Sequence, residues 1–443
     1  MEAFAPQAFR FLIITLKGNL MKYYKVDFDP DYAKKEGCEA KGRIYTELIN
    51  DDRKAYKAVK DYLAKALEGC LRESVGGMKY KFVVPGAEYQ DLWDWDAFFM
   101  CCALPDDKLE YAKGSIMGLL DGTTDYGKPT KKVSYDGHYL WVKQSLPVLV
   151  QFTYIVAKRL GDFSWVAPYW EKLENIAHYN DRNYCRGGFY VWHTLSGIDN
   201  NPSNYGQMNN SVAGADLASW IYREFRAMAK LSSALGKGRE DYYLDRAKKL
   251  KEFIQENYFD YTDEFFYDIH LNFPGIETAD ICEQGVKWHN YLKFRNFANL
   301  FVLWGKTASE AQAEKVMRRV MSPDEYLAPC GIRSHSKADM VYNNIPMGNP
   351  SNWQGPVWGL TSFLTAYSML HYGYKKEALE VAWRMVRTFA ADIAQNGCIH
   401  EFYNGDNGQP VIRPYFLSWN LLGIRIIDDL ENGVDCTTFD ILD

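Results

Sequence analysis

Two carboxylates, Asp199 and Glu401, stand in short polar segments and are the strongest candidates for acid–base chemistry in this sequence. Asp199 follows Gly197, whose backbone freedom allows a short loop to project a carboxyl group into a cavity. Glu401 lies between His400 and Tyr403, just before a glycine-rich turn. Hydrolysis of a glycoside needs such a pair, because one carboxylic acid protonates the leaving oxygen while the other carboxylate activates water or attacks carbon.

Each carboxylate also has an ordinary structural interpretation. Asp199 opens an Asp-Asn-Asn-Pro run that can form an Asx-turn, and the residues by themselves favour that turn. Glu401 can be a solvent-exposed carboxylate at the edge of a hairpin that turns through residues 404–408. The local sequence therefore leaves both alternatives open for each residue.

Aromatic side chains stand beside further carboxylates ahead of an apolar run. The indoles of Trp93 and Trp95 alternate with aspartates, of which Asp96 is the second. A carboxylate beside an indole can bind vicinal hydroxyl groups while the ring packs on the C–H face of a sugar, and we favour this interpretation. The alternative is that the aspartates cap a helix that begins near Ala97.

A second aromatic cluster combines two indoles with an amide. We expect Trp353, Gln354 and Trp358 to meet at a helix entrance, with Pro356 in the first turn of that helix. An aromatic wall and an amide would then line one site. The alternative is that these rings only pack against the preceding loop.

The composition fits a carbohydrate site and argues against several other functions. The 443 residues include 32 Tyr, 24 Phe and 13 Trp, and a large core explains only part of this aromatic content because many rings fall in polar, glycine-containing stretches. The net charge of −6 argues against a nucleic-acid partner. No apolar run approaches the roughly 18 residues needed to cross a bilayer.

Signatures of other chemistries are missing from the sequence. It contains no HExxH, GxSxG or Walker motif, and its eight His are scattered. We therefore expect no catalytic metal and no cofactor, with a structural calcium ion left open. Nine cysteines, an odd number without a CxxC pair, indicate reduced thiols in a cytoplasmic protein.

The elements that would position these residues are mainly helical. Gly161, Gly236 and Gly373 stand just past three amphipathic stripes, where a left-handed C-cap is favoured. Short strand signals occur only at 189–192 and 264–267. The stripes cover residues 47–73, 140–160, 216–235, 241–258, 308–321, 355–372 and 375–393. With weaker segments included, we predict ten to thirteen helices in an all-α, closed α/α toroid with one central pocket.

The N-terminal segment is a poor signal peptide, because a single Arg precedes a six-residue apolar run without a good cleavage site. Met21 begins a cleaner start. We expect residues 1–20 to be an extra arm or an upstream mis-start, and residues 21–443 to form a single catalytic domain, because no Pro- or Ser-rich linker divides them.

Together these segments resemble glycoside hydrolase family 63, and more closely its bacterial branch of mannosylglycerate and glucosylglycerate hydrolases. The resemblance runs from about residue 85 to residue 423, and its pieces come in the family's order. The motifs that carry it are Trp95-Asp96 followed by Phe99, Ser196-Gly-Ile-Asp-Asn-Asn-Pro202, Asp216-Leu-Ala-Ser-Trp220 to Ala234-Leu-Gly236, Asn349-Pro-Ser-Asn-Trp-Gln-Gly-Pro-Val-Trp358 and His400-Glu-Phe-Tyr403.

This resemblance implies an (α/α)6 barrel and hydrolysis with inversion at the anomeric carbon. It implies that Asp199 is the general acid, protonated near neutrality, and that Glu401 is an ionised general base roughly 6.5–9.5 Å away. It also implies a set of residues around the sugar. These are Trp93, Trp95, Asp96, Gln144 (a partial match), Trp192, Asn200, Trp353, Gln354, Trp358 and Tyr403.

The substrate expectation departs from the glycerate hydrolases. Those enzymes carry an Arg and a longer segment after the motif that ends here at Pro202, and this chain lacks both. Arg333 could supply a cation for glycerate, but we favour a salt bridge at the barrel rim. We therefore expect an exo-acting α-glycosidase whose partner is a small carbohydrate, with a neutral α-glucoside at least as well supported as a glycerate glycoside.

Other functions fit the same toroid. A sugar epimerase would need a histidine base, for which His335 and His400 are the candidates. An unsaturated glucuronyl hydrolase is a further alternative within the enzymes. A non-catalytic carbohydrate-binding protein is the alternative from a different class, and the presence of both Asp199 and Glu401 argues against it.

Overall fold

The computed structural model describes residues 44–193, 196–271, 289–347, 351–431 and 439–442. The expected arm at residues 1–20 and the start of the second aromatic cluster, residues 348–350, lie outside this range. The α-helices of the described residues are α1 (Asp52–Glu68), α2 (Asp94–Ala103), α3 (Leu109–Asp121), α4 (Leu149–Leu160), α5 (Trp170–Ala177), α6 (Tyr179–Tyr184), α7 (Ala215–Ala234), α8 (Glu240–Asn257), α9 (Phe301–Trp304), α10 (Glu310–Val320), α11 (Gly359–His371), α12 (Lys375–Asn396) and α13 (Leu422–Glu431).

Six of these helices close a ring. Helix α2 packs on α4, α4 on α7, α7 on α9, α9 on α11, α11 on α13, and α13 on α2 again. The intervening helices form an outer layer: α3 packs on α2 and α4, α8 on α7, and α12 on α11 and α13. The chain thus alternates between an outer and an inner helix, which is the predicted (α/α)6 barrel.

The two layers differ in how their residues are buried. The outer helix α1 buries one stripe, Ala55, Val59, Leu63 and Leu67, and exposes the rest. The inner helix α9 buries every residue from Phe301 to Trp304. Amphipathic periodicity therefore marks α1, whereas α9 is apolar on every face.

Aromatic rings fill the interior of the ring of helices. The Phe98 ring of α2 lies 5.9 Å from that of Trp220, 6.4 Å from that of Trp304 and 5.8 Å from that of Phe439, between centroids. Phe439 comes from the C-terminal segment, and Arg223 donates to its carbonyl oxygen at 2.7 Å. Much of the aromatic content is therefore core, as a large fold requires.

Short antiparallel strands form the connections. They are β1 (Leu71–Arg72), β2 (Phe82–Val83), β3 (Leu92–Trp93), β4 (Lys132–Val133), β5 (Tyr139–Leu140), β6 (Cys185–Arg186), β7 (Phe189–Trp192), β8 (Val212–Ala213), β9 (Phe259–Asp260), β10 (Phe265–Phe266), β11 (Asp268–Leu271), β12 (His289–Leu292), β13 (Leu327–Ala328), β14 (Gly331–Ile332), β15 (Val357–Trp358), β16 (His400–Tyr403) and β17 (Pro410–Pro414). The larger sheets have the orders β12-β11-β8-β7-β6, β3-β4-β5 and β15-β16-β17. Strands β3, β8 and β15 lead directly into inner helices, so these sheets set where the inner helices begin.

The predicted strands at 189–192 and 264–267 are confirmed as β7 and β10, and the three glycine caps are confirmed by positive φ angles of 62° to 82°. Two predicted helix starts are wrong. The stripe at 140–160 is helical only from Leu149, after Pro147, because proline disfavours helical backbone at the preceding residue. Helix α11 begins at Gly359, so Pro356 precedes β15 instead of lying in a first helical turn.

Two further observations concern the whole described chain. Across these residues no helix combines the length and the apolar character that a membrane crossing requires. The described cysteines are all free thiols: Cys70, Cys101, Cys102, Cys185, Cys330 and Cys398.

Candidate active site

The segments that precede the inner helices meet at one end of the barrel. Trp95, in the first turn of α2, places its ring 6.1 Å from that of Trp353 and 5.4 Å from that of Trp419. The hydroxyl of Ser418 donates to Asp96 Oδ1 at 2.9 Å. Residues more than 250 positions apart in the chain are thereby brought together at one site.

Asp199 lies in the loop between β7 and β8, after Gly197, whose φ of 88° suits glycine. The backbone N–H of Ser351 donates to Asp199 Oδ2 at 3.3 Å across the pocket. Burial raises the pKa of Asp199, and the Ser351 N–H and the charge of Lys131 only partly oppose this rise. A raised pKa is what a proton donor needs. The local turn forms instead on Asn201, whose Oδ1 accepts from the N–H of Ser203 at 3.1 Å.

Glu401 lies on β16 and is only 7% exposed, so the alternative of a wet carboxylate at a hairpin edge is wrong. Arg413 of β17 places Nε 3.2 Å from Glu401 Oε2. Burial raises the pKa of Glu401 to about 8; the charge of Arg413 opposes the rise, and the charges of Asp96 and Asp199 add to it. This direction of shift favours the protonated form and runs against the expectation of an ionised Glu401 near neutrality. The mutual influence of the carboxyl groups also places Asp199 and Glu401 within electrostatic reach of each other.

The strand that carries Glu401 is anchored to the buried carboxylate of Asp392 on α12. Asp392 Oδ2 accepts from the backbone N–H of His400 at 3.0 Å, from the Tyr403 hydroxyl at 2.8 Å, and pairs with His400 Nδ1 at 2.8 Å. Because His400, the residue before Glu401, points into this anchor, the alternation of the strand turns Glu401 to the opposite face. An irregularity of the strand pairing between Phe402 and Tyr403 brings the Tyr403 side chain back to the side of Asp392.

The histidine candidates for an epimerase are tied to structural partners. His400 is held by Asp392, as described above. His335 is fully buried, with Nε2 3.0 Å from Asp339 and Nδ1 3.3 Å from Asn296 Nδ2. These contacts do not support a catalytic histidine base.

Asp96 is a third carboxyl group in the pocket. Burial raises its pKa to about 6, against the hydrogen bond from Ser418. Its neighbour Asp94 pairs with Lys131 at 2.9 Å. Helix α2 begins at Asp94, and its N-cap, Trp93, makes no side-chain cap bond. The alternative that the aspartates cap a helix near Ala97 is therefore wrong.

The second aromatic cluster forms a rigid wall that is largely buried. Trp353 and Trp358 stack at 3.8 Å with an interplanar angle of 6°, and each is 1% exposed. The carboxamide of Asn200 accepts from the Trp353 N–H at 2.6 Å, while Gln354 Nε2 donates to the Asn200 carbonyl at 2.9 Å. These bonds lock the loop of Asp199 to the Trp353 segment.

Like Asn200 and Gln354, three further predicted sugar ligands are engaged with protein groups. The amide of Gln144 donates to Asn180 and to the Val191 carbonyl and accepts from the His193 N–H. The Trp192 indole donates to Asp216, and the Tyr403 hydroxyl donates to Asp392. All three are buried, and their contacts indicate support of the pocket instead of direct sugar binding. Trp93 is half-buried, with Lys132 Nζ 5.1 Å from its ring.

Arg333 confirms the favoured expectation of a salt bridge at the barrel rim. Its Nη2 lies 3.8 Å from Asp406 Oδ1, and the guanidinium also donates to the carbonyls of Gly405, Pro323 and Leu327. The side chain is buried. It is not placed to grip a glycerate carboxylate.

The sequence motifs did not reveal four residues of the site: two cations, and two residues of the segment just before α13. Lys131 precedes β4, Arg413 lies in β17, and Ser418 and Trp419 precede α13. No motif marks Lys131, because its partner Asp94 lies on another element. Arg413 could have been found from the expected hairpin, because the pairing of β16 with β17 brings it opposite Glu401. Trp419 follows a run of aromatic residues and could have been found by its indole. Within the described ranges, no three His, Cys, Asp or Glu side chains are grouped to hold a metal ion.

A family model described as the mannosylglycerate hydrolase MGH1-like glycoside hydrolase domain matches residues 89–419. Among curated proteins, the uncharacterized protein YMR196W of Saccharomyces cerevisiae is 25% identical over a stretch that covers 27% of this chain and 16% of that protein. The chain therefore matches less than a fifth of that relative's length.

Solved structures share the fold. A GH63 mannosylglycerate hydrolase from Thermus thermophilus, in complex with glucose, aligns with a TM-score of 0.63 and 15% identity, covering 83% of this chain and 99% of that one. Neutral trehalase Nth1 from Saccharomyces cerevisiae aligns with a TM-score of 0.60 and 16% identity, covering 81% of this chain and 77% of that one. At these identities the likeness establishes the (α/α)6 architecture.

Proposed function

This chain belongs to the mannosylglycerate hydrolase MGH1-like glycoside hydrolase family, and we propose that it is an exo-acting glycosidase that cleaves a short α-glucoside or related α-glycoside with inversion. The observation that carries the proposal is the pair of carboxyl groups, Asp199 and Glu401, because the charge of Asp199 raises the pKa of Glu401 and the two groups are therefore close to each other. A proton donor and a water-activating base must face the same sugar from two sides.

In the proposed reaction, Asp199 gives its proton to the glycosidic oxygen as the bond from that oxygen to the anomeric carbon breaks. A water molecule attacks the anomeric carbon from the opposite side and transfers a proton to Glu401. The productive form therefore carries its proton on Asp199. Arg413, 3.2 Å from Glu401, supports the carboxylate form of the base.

The charges of the pocket support a neutral leaving group. Lys131 pairs with Asp94, Arg413 pairs with Glu401, and Arg333 is engaged at the rim. Because these cations already face carboxylates, a glycerate carboxylate would have to compete for them. The Thermus neighbour has been crystallised with D-glycerate, so glycerate remains the natural competitor in any substrate panel.

Two further parts of the proposal concern the location of the protein and its domain organisation. We place the protein in the cytoplasm, on the strength of its free thiols. We also assign residues 21–443 to a single catalytic domain, which the closed ring of inner helices supports. Its expected partner is a small carbohydrate, with no cofactor.

The test is an NMR time course with α-linked glucose disaccharides, α-glucosyl glycerate and α-mannosyl glycerate. We expect release of the β-anomer from at least one substrate, and loss of that release in Glu401→Ala. Glu110→Ala, an exposed glutamate on the outer helix α3, is the matched control and should behave as the wild type. Release of the α-anomer would contradict inversion, and no release from any substrate would contradict the proposed substrate class.

A further inference from the structure

Two buried carboxyl groups lie beneath the loop of Asp199, and the reaction described above does not use them. Asp268 begins β11 and is 0% exposed, and Asp216 lies in the first turn of α7. Their mutual electrostatic influence shows that they are neighbours. Buried carboxyl groups without a cation are costly, so their retention calls for an explanation.

In both groups the Oδ1 atom accepts hydrogen bonds at the start of the inner helix α7. Asp268 Oδ1 accepts from the N–H of Ala215, the first residue of α7, at 2.9 Å. Asp216 Oδ1 accepts from the N–H of Leu217 at 2.6 Å and from the Trp192 indole at 2.9 Å. A Cβ atom at Gly214 would lie 2.3 Å from Asp216 Oδ1, so glycine is required at position 214. These bonds join β7, β11 and α7 into one support.

The second oxygen of Asp268 faces the loop of Asp199. Asp268 Oδ2, Asn201 Nδ2 and Ser203 Oγ are all buried, and each lacks a hydrogen-bond partner in the part of the chain that the structure describes. Asn201 and Ser203 nevertheless lie close enough to Asp268 to lower its pKa. The acceptor Asp268 Oδ2 therefore lies near two donors, Asn201 Nδ2 and Ser203 Oγ. Asn201 and Ser203 follow Asp199 by two and four residues.

We propose that Asp268 is a positioning residue for the proton donor: through Asn201 and Ser203 it sets the place from which Asp199 reaches the glycosidic oxygen. The loop is held on its other side by the bonds from Asn200 to the Trp353 segment. Asp268 thus fixes the second side of the same loop. This inference rests on the proposed function, because it assigns Asp199 the proton-transfer step.

A glycosyl fluoride separates this role from general structural support. Fluoride departs with the electron pair of the C–F bond and needs no proton from Asp199, whereas the attacking water still gives its proton to Glu401. A misplaced proton donor therefore slows the hydrolysis of glycosides with poor leaving groups and spares the fluoride. A damaged fold slows both reactions.

The experiment compares Asp268→Asn with the wild type on α-glucosyl or α-mannosyl fluoride and on the glycoside that the wild type cleaves. We expect kcat on the glycoside to fall by about tenfold or more, with kcat on the fluoride within about threefold of the wild type. Asp260→Asn is the matched control, because Asp260 is a buried carboxylate in the same part of the chain that pairs with Lys293 and not with the loop. It should leave the ratio of the two rates unchanged.

Ser203→Ala provides a milder second variant in case Asp268→Asn does not fold. It removes one donor from the loop and should lower the glycoside rate selectively in the same way. Equal losses on both substrates, or no loss on either, would overturn the positioning role. A wild-type enzyme that hydrolyses neither the glycosides nor the fluorides would instead overturn the proposed function.

Discussion

The side of the site that holds the proposed proton donor and the side that holds the proposed base are built differently. Asp199 lies in a loop, half-buried, and accepts from the backbone N–H of Ser351. Glu401 lies on a strand, is almost fully buried, and faces the guanidinium of Arg413. The acid depends on where its loop is held, whereas the base depends on the charges around it.

The difference is also visible in the backbone. Arg413 has a φ of 52°, an unusual left-handed conformation for a residue with a side chain. Tyr415 and Ser418, in the same segment, have φ angles of 67° and 29°. Strain of this kind persists where the surrounding structure enforces it, and it is concentrated at functional sites. On the base side, strained backbone delivers Arg413 to Glu401 and Ser418 to Asp96.

Removing the base should have the largest effect. We expect Glu401→Gln to lower kcat by about 10²- to 10⁴-fold on glycosides and on glycosyl fluorides alike, because water attack is common to both reactions. Initial rates on the two substrate classes provide the measurement. A variant that kept its activity on the fluoride would show that Glu401 is not the group that activates water.

Removing the proposed acid should lower activity on glycosides selectively, in contrast to removing the base. Asp199→Asn should cost a comparable 10²- to 10⁴-fold, roughly, on an unactivated glycoside and only a few-fold on the corresponding fluoride. The ratio of the two rates is the quantity to compare with that of Glu401→Gln. Equal losses in the two variants would remove the distinction between an acid side and a base side.

Removing the cation should change the charge state of the carboxyl groups. Arg413 lowers the pKa of Glu401 and also that of Asp199, so Arg413→Met should raise the pKa of Glu401 further. At pH 7, kcat/KM should fall roughly tenfold for each unit of that rise, since less enzyme carries the Glu401 carboxylate. Arg413→Lys keeps a positive charge and should lower kcat/KM less. An unchanged kcat/KM at pH 7 in Arg413→Met would contradict this role.

The smallest effect concerns stability. The pKa of Glu401 is about 8 in the folded protein against an ordinary 4.5, so the folded state binds this proton more tightly than the unfolded state. Its contribution to stability is fully present below pH 4.5 and is lost as pH rises through about 8. Melting temperatures of the wild type should therefore fall between pH 5 and pH 8.5 relative to those of Glu401→Gln. Parallel curves would argue against a raised pKa.

Much of the fold could be predicted from local patterns. The outer helices display one apolar stripe, and glycine marks three helix ends with positive φ. The starts of α4 and α11 were misplaced because short strands and turns precede the inner helices. The apolar character of those stretches does not distinguish a strand from a buried helix.

The same distinction between local pattern and tertiary contact applies to the candidate site. Local motifs and the family resemblance proposed Asp199, Glu401, Asp96 and the Trp353 segment as candidates. They did not propose Lys131, whose partner Asp94 lies on another element, or Arg413, although the pairing of β16 with β17 places it opposite Glu401. They also assigned sugar contacts to Gln144, Trp192 and Tyr403, whose polar atoms the structure engages with protein groups.

By itself, then, the sequence determined the helical architecture and proposed two carboxyl groups as candidates for acid–base chemistry. Only the tertiary structure decided their surroundings: which face of β16 is enclosed, which cation approaches Glu401 and which buried carboxyl group lies under the loop of Asp199. The physical reason is that helix patterns depend on residues three or four positions apart, whereas the charge state of a buried group depends on every charge within several ångströms, whatever its place in the chain.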